Sequence, residues 1–225
     1  MSDYIKESSR RVLSERREYN MFGRIEVFIK DPLPSEVDMT DVIKDLEDIV
    51  PSKLMYNIDM VMVGQFQELN SRGIRAAFMD GAIYVTNQQP NSEQILEDII
   101  HEIAHSVELE YGDVIYSDGL LEREYLQKKK MFLDKLASHG VKIPNRLRVG
   151  VEYSKMFDEF LHYEIGFEKS NNISMGIFLE PYSSVSISEY FATVFEYYFM
   201  SEDLEYLKRL SPVAYDKISK LNREE

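Results

Sequence analysis

Residues four apart on an α-helix stand one above the other, and that geometry makes one short segment of this chain decisive: His101-Glu102-Ile103-Ala104-His105. The surrounding residues predict a helix over 91–109. Asn91 followed three residues later by Gln94 resembles a capping box, and Ile95, Ile99, Ile103 and Val107 form an apolar stripe at helical spacing. On such a helix the two imidazoles share one face, about 6 Å apart at Cβ, where they can bind one metal ion. Glu102 lies about 100° round the axis, within reach of a water on that metal. Two histidines and an intervening glutamate in this pattern point to metal-assisted hydrolysis, with Glu102 as the general base.

Composition narrows the chemistry around that helix. The chain has no cysteine, which excludes disulfides, thiolate-held zinc, iron–sulfur ligation and a thiol nucleophile. Its net charge of -14 speaks against a nucleic-acid partner, which needs a basic footprint. Between 91 and 120 there are eight acidic residues and no Lys or Arg, so that stretch alone carries -8. The resulting field favours a dication and attracts basic peptide or protein segments. No run approaches the ~18 apolar residues of a membrane span, and the first twenty residues lack the apolar core of a signal peptide. The expectation is a cytoplasmic protein with no membrane or nucleic-acid partner; delivery outside the cell by another route stays open, as does the oligomeric state.

The rest of the chain reads as α+β. Residues 1–21 are densely charged and read as a solvated arm or helix, with the folded part beginning at Phe22. Four strands are expected, over 24–29, 58–63, 75–78 and 82–86, in a small mixed sheet. A helix over 39–49 separates the first two, and Asp80-Gly81 signals a tight hairpin between the last two. Further helices are expected over 120–138, 151–165, 188–200 and 202–222, with 166–187 polar and irregular.

A third metal ligand is harder to read. His139 precedes Gly140 at a predicted helix end, where a cation suits the helix dipole. A third histidine six residues beyond His105 is absent, because position 111 is Tyr. A glutamate on a later helix is the main alternative. Glu189 is the best placed, on a helix that is aromatic on its other faces, and spacing leaves Glu196 open.

His101 to His105, together with Tyr182 and, seven residues on, Glu189-Tyr190-Phe191-Ala192, resembles the catalytic domain of anthrax toxin lethal factor and the related Pro-Pro endopeptidases. The closing segment 211–221 is similar to that family's last helix. The resemblance implies a zincin-like fold over 22–225 and one catalytic Zn2+ held by His101, His105 and Glu189. It further implies Glu102 as base and Tyr182 as the group that steadies the oxyanion. By order along the chain, Ala76-Ala77-Phe78 holds the place of the edge strand that pairs with substrate in zincin folds. His105 and Glu189 are 84 residues apart, longer than the family spacing, and the excess falls at about 141–181 as an insertion that could serve as lid, exosite or partner surface.

The function expected is therefore a zinc-dependent endopeptidase acting on peptide or protein substrate. The alternatives are a catalytically silent zincin-fold binding protein that uses the aromatic insertion as its interface, and metal-dependent hydrolysis of a non-peptide amide.

Overall fold

The computed structural model describes residues 18–147 and 150–223. The greater part of the charged arm expected over 1–21 lies outside the described residues. The chain falls into two compact units, Met1–Val107 and Glu108–Glu225, and the boundary lies inside a helix rather than in a linker.

The first unit is built on a mixed sheet of five strands, β1 (Glu18–Met21), β2 (Ile25–Ile29), β3 (Met60–Gly64), β4 (Ala76–Met79) and β5 (Ala82–Thr86), in the order β1-β2-β3-β5-β4. One strand more is present than the four expected. β1 pairs antiparallel with β2, and Phe22 and Gly23 both take positive φ in the turn between them. The sequence hides β1 because the alternation of Glu-Tyr-Asn-Met lasts only four residues and adjoins a densely charged run. β2, β3 and β5 run parallel, and β4 returns antiparallel on β5 through the expected Asp80-Gly81 turn, where both residues have positive φ.

Helix α1 (Met39–Ile49) makes the crossover from β2 to β3, as its spacing predicts. Asp38 caps it by accepting from Thr40 N at 2.8 Å, and Met39, Val42, Ile43 and Leu46 are buried. A short helix, α2 (Gln67–Arg72), was not expected. Phe66 and Leu69 at its start cluster with Ala77 of β4, with Met62, Ile74, Met79 and Tyr84 around them. Helix α3 (Ser92–Tyr116) runs from the first unit into the second, well past the end expected near Leu109. Its start matches the capping signal, since Gln94 N donates to Asn91 Oδ1 at 2.9 Å.

The second unit is helical: α4 (Leu120–Ser138), α5 (Lys155–Glu159), α6 (Phe167–Ser174), α7 (Ile187–Met200), α8 (Leu204–Leu210) and α9 (Pro212–Arg223). Three expectations are corrected here. The helix expected over 151–165 starts only at Lys155, capped by Ser154, and widens into a π-helical turn over Phe160–Ile165. The stretch 166–187, expected to be irregular, contains α6 and a 3-10 turn at Pro181–Ser184. The single helix expected over 202–222 is two, because Pro212 cannot donate to a continuing helix and instead opens α9. Among the described residues no helix is long and apolar enough to cross a membrane.

Two buried lysines of α4 organise this unit. Lys128 Nζ donates to the Ile177 carbonyl and lies 5.7 Å from the ring centres of Phe178 and Tyr190. Lys129 Nζ donates to the Gly150 carbonyl at 3.1 Å and lies 4.7 Å from the Phe157 ring centre. Burial lowers both ammonium groups to about 8, with the Glu124 charge opposing the shift at Lys128. Unfolded lysine titrates near 10.4, so between about pH 8 and 10 the unfolded chain holds more protons and stability rises with pH. Above about pH 10 the sign reverses, because burial raises the Tyr125 and Tyr190 phenols and the folded chain then holds the extra protons. Urea unfolding at pH 7.5 and 9.5 is expected to show a smaller gain on raising the pH in Lys129→Met than in the wild type.

Candidate metal centre

The two histidines of α3 take up the arrangement their spacing predicts. Their rings meet edge to face, with centroids 5.2 Å apart and planes at 72°. The apolar stripe beneath them is fully packed, with Ile95, Ile99, Ile103, Ala104 and Val107 all at 2% exposure or less. A helix seated in this way cannot rotate without exposing that stripe, so the faces carrying His101, Glu102 and His105 are fixed by hydrophobic burial rather than by the polar groups themselves.

Glu102 is buried, and its Oε2 accepts a hydrogen bond from the backbone N–H of Phe78 at 2.7 Å. That bond ties the helix to β4, an outer strand of the described sheet. Thr86 N donates to the Arg75 carbonyl at 2.8 Å, which sets the alternation along the strand. Ala77 and Met79 turn their backbone groups toward β5, whereas Ala76 and Phe78 turn theirs outward. Of the three residues expected to meet an extended substrate, Ala76 and Phe78 thus offer main-chain groups, and Ala77 buries its methyl in the cluster with Phe66 and Leu69. Farther along α3 on the sheet side, Arg75 forms an ion pair with Asp98 at 2.9 Å. Gln89 donates to the other oxygen of the same carboxylate.

Glu189 stands in the first turn of α7. Ser186 caps that helix, accepting from Glu189 N at 3.1 Å. Ser186-x-x-Glu189 is itself a capping-box sequence, a signal for the helix start that was legible in the chain. The residues on either side of Glu189 are both anchored. Ser188 Oγ donates to Glu108 Oε2 at 2.6 Å, and Tyr190 Oη donates to Glu124 Oε1 at 2.8 Å. Glu108 also accepts from the Tyr116 hydroxyl. Burial first, and then the Glu108 charge, push that phenol well above its usual range, so it remains a donor. Ser188, which conveys nothing when read as a neighbour of Glu189, is thus a link between α7 and α3; its partner lies 80 residues away and leaves no local signal.

His101, His105 and Glu189 each offer one ligand atom, and these three atoms lie within 4.8 Å of one another, so the group could hold a metal ion. Among the described residues Glu196 is not part of any such group. His139 is the helix terminus it was expected to be: it caps α4, with Nδ1 2.8 Å from the Lys135 carbonyl oxygen. His162 is exposed on the π-helical turn and packs edge to face on Tyr163, with centroids 4.6 Å apart. Tyr182 sits in the Pro181–Ser184 turn and is 37% exposed.

No protein-family profile, no curated protein and no solved structure matches this chain.

The anchoring of α7 rests heavily on Glu124, which accepts from the Val213 and Ala214 amides at 2.8 and 3.0 Å as well as from Tyr190. Glu124→Ala leaves these donors without an acceptor at a buried site and is expected to cost about 3 kcal/mol or more. Glu124→Gln keeps one accepting oxygen and is expected to cost about half as much. Urea unfolding of the two variants checks the order.

Proposed function

We propose that this protein is a zinc-dependent endopeptidase with a zincin-like fold, of the kind its sequence resembles in lethal factor and the Pro-Pro endopeptidases. The observation that carries the reading is the convergence of one ligand atom each from His101, His105 and Glu189, with Glu102 on the same helix as the two histidines. The donor set suits zinc. Two imidazole nitrogens and one carboxylate oxygen match its borderline character, and three protein ligands leave the fourth position that catalytic zinc sites keep open. A zinc ion held by His101, His105 and Glu189 would supply Lewis-acid activation of a water and of a substrate carbonyl.

The chain's own groups supply the rest. The outward backbone groups of Ala76 and the outward carbonyl of Phe78 pair with an extended substrate, as an added strand does. Glu102, oriented by the Phe78 N–H, takes a proton from the attacking water and returns it to the leaving amine nitrogen. The Tyr182 hydroxyl donates to the carbonyl oxygen as negative charge develops on it, an interaction stronger in the transition state than in the ground state. The negative charge of the 91–120 stretch supports a cation in the site and a basic substrate segment near it.

The test is cleavage of a diverse peptide pool read by mass spectrometry, with zinc content measured on the same samples. The zinc-loaded wild type is expected to cut internal peptide bonds. Glu102→Gln is expected to keep its zinc and lose about 10²–10⁴-fold in rate. Glu189→Ala is expected to lose zinc together with activity. Unchanged cleavage by Glu102→Gln contradicts the assignment of the base, and a wild type that holds zinc but cuts no peptide favours a binding role.

A further inference from the structure

The second unit contains a small cavity of about 110 Å3, and Tyr182 forms part of its wall. Leu161, Phe167 and Pro181 supply apolar surface around it, and Asp158 and Glu180 supply carboxylates. The volume is that of about four water molecules, which is the scale of one side chain rather than of a whole ligand. We infer that this cavity receives a lysine or arginine side chain of the substrate, next to the bond that is cut; the inference rests on the endopeptidase reading through Tyr182.

Three features argue for that occupant. A long basic side chain has an apolar stem and a charged head, and the cavity offers apolar walls and two carboxylates to match. A purely aliphatic side chain gains nothing from the two carboxylates, and an acidic one meets like charge. The Asp158 carboxylate is also held in place, because Tyr153 Oη donates to its Oδ2 at 2.9 Å. Phe167 and Tyr182 add ring surface that favours a cation.

Part of the cavity wall is unusual backbone. Leu161 and His162 lie in the π-helical turn Phe160–Ile165, which follows α5 without a break. Such turns are rare and occur most often where a helix has been reshaped for a site. The turn carries His162 to the cavity and leaves the next side chain, Tyr163, 78% exposed. The segment 141–181, anticipated from the sequence as an insertion of undefined role, thereby acquires one: it builds the specificity pocket.

Two peptide pools separate this inference from the reading it rests on. One fixes lysine at a single position and the other fixes norleucine there, which keeps the stem and removes the charge; the remaining positions are equimolar mixtures. Binding of fluorescein-labelled pools to the zinc-loaded Glu102→Gln protein is followed by anisotropy, and cleavage of unlabelled pools by the wild type is followed by mass spectrometry. The lysine pool is expected to bind at least tenfold more tightly. Adding Asp158→Asn and Glu180→Gln together is expected to bring the ratio close to one. Cleavage by the wild type should favour bonds adjacent to lysine by a similar factor. Equal binding of the two pools, or a preference that survives the double substitution, overturns the pocket assignment. Selective binding with no cleavage by the wild type keeps the pocket and removes the endopeptidase reading.

Discussion

The hydrogen bond from the Phe78 amide to the Glu102 carboxylate is the contact on which the architecture of the first unit converges. It joins the outer strand of the sheet to the helix that carries both histidines, using a backbone donor that no partner strand claims. An outer strand with outward N–H groups is ordinarily a liability. Here one of those groups is engaged by an acidic side chain, and the remaining outward main-chain groups of Ala76 and Phe78 lie on the side of the strand away from β5. The sheet and α3 are therefore one device: burial of Ile95, Ile99 and Ile103 sets the rotation of the helix, and Glu102 sets its position along the strand.

Glu189 is served by a comparable economy in the second unit. A side chain in the first turn of a helix is only as well placed as that turn, and helix termini fray. Ser186 caps the turn, Ser188 is held by Glu108 of α3, and Tyr190 is held by Glu124 of α4. Glu124 reaches the first amides of α9 as well, so three helices share one buried carboxylate. Such a centre is costly to disturb, because each donor is left orphaned when the acceptor is removed.

Much of this was legible in the chain and some of it could not have been. His101 and His105 announce themselves by spacing, and the helix beneath them by its apolar stripe. The hairpin of β4 and β5 follows from Asp80-Gly81, and α1 from its periodicity. β1 was hidden because its alternation lasts only four residues beside a charged run, and α6, Phe-Glu-Lys-Ser-Asn-Asn-Ile-Ser, because it is too polar for its stripe to stand out. The extension of α3 beyond Leu109 passes through Gly112, a residue that reads as a stop. The split at Ser211-Pro212 could have been read, since proline favours the first position of a helix. Interactions such as Glu108 with Ser188, or Phe78 with Glu102, are set by tertiary packing across 80 and 24 residues, and no local pattern encodes them.

The central claim is that two imidazoles of one helix and a carboxylate from another converge on a single ion. Zinc K-edge absorption spectroscopy on the purified, zinc-loaded protein tests it directly. The account predicts one zinc per chain, with two imidazole nitrogens at about 2.0–2.1 Å and oxygen donors completing the shell. Absence of stoichiometric zinc, or a shell with one imidazole or none, would contradict it.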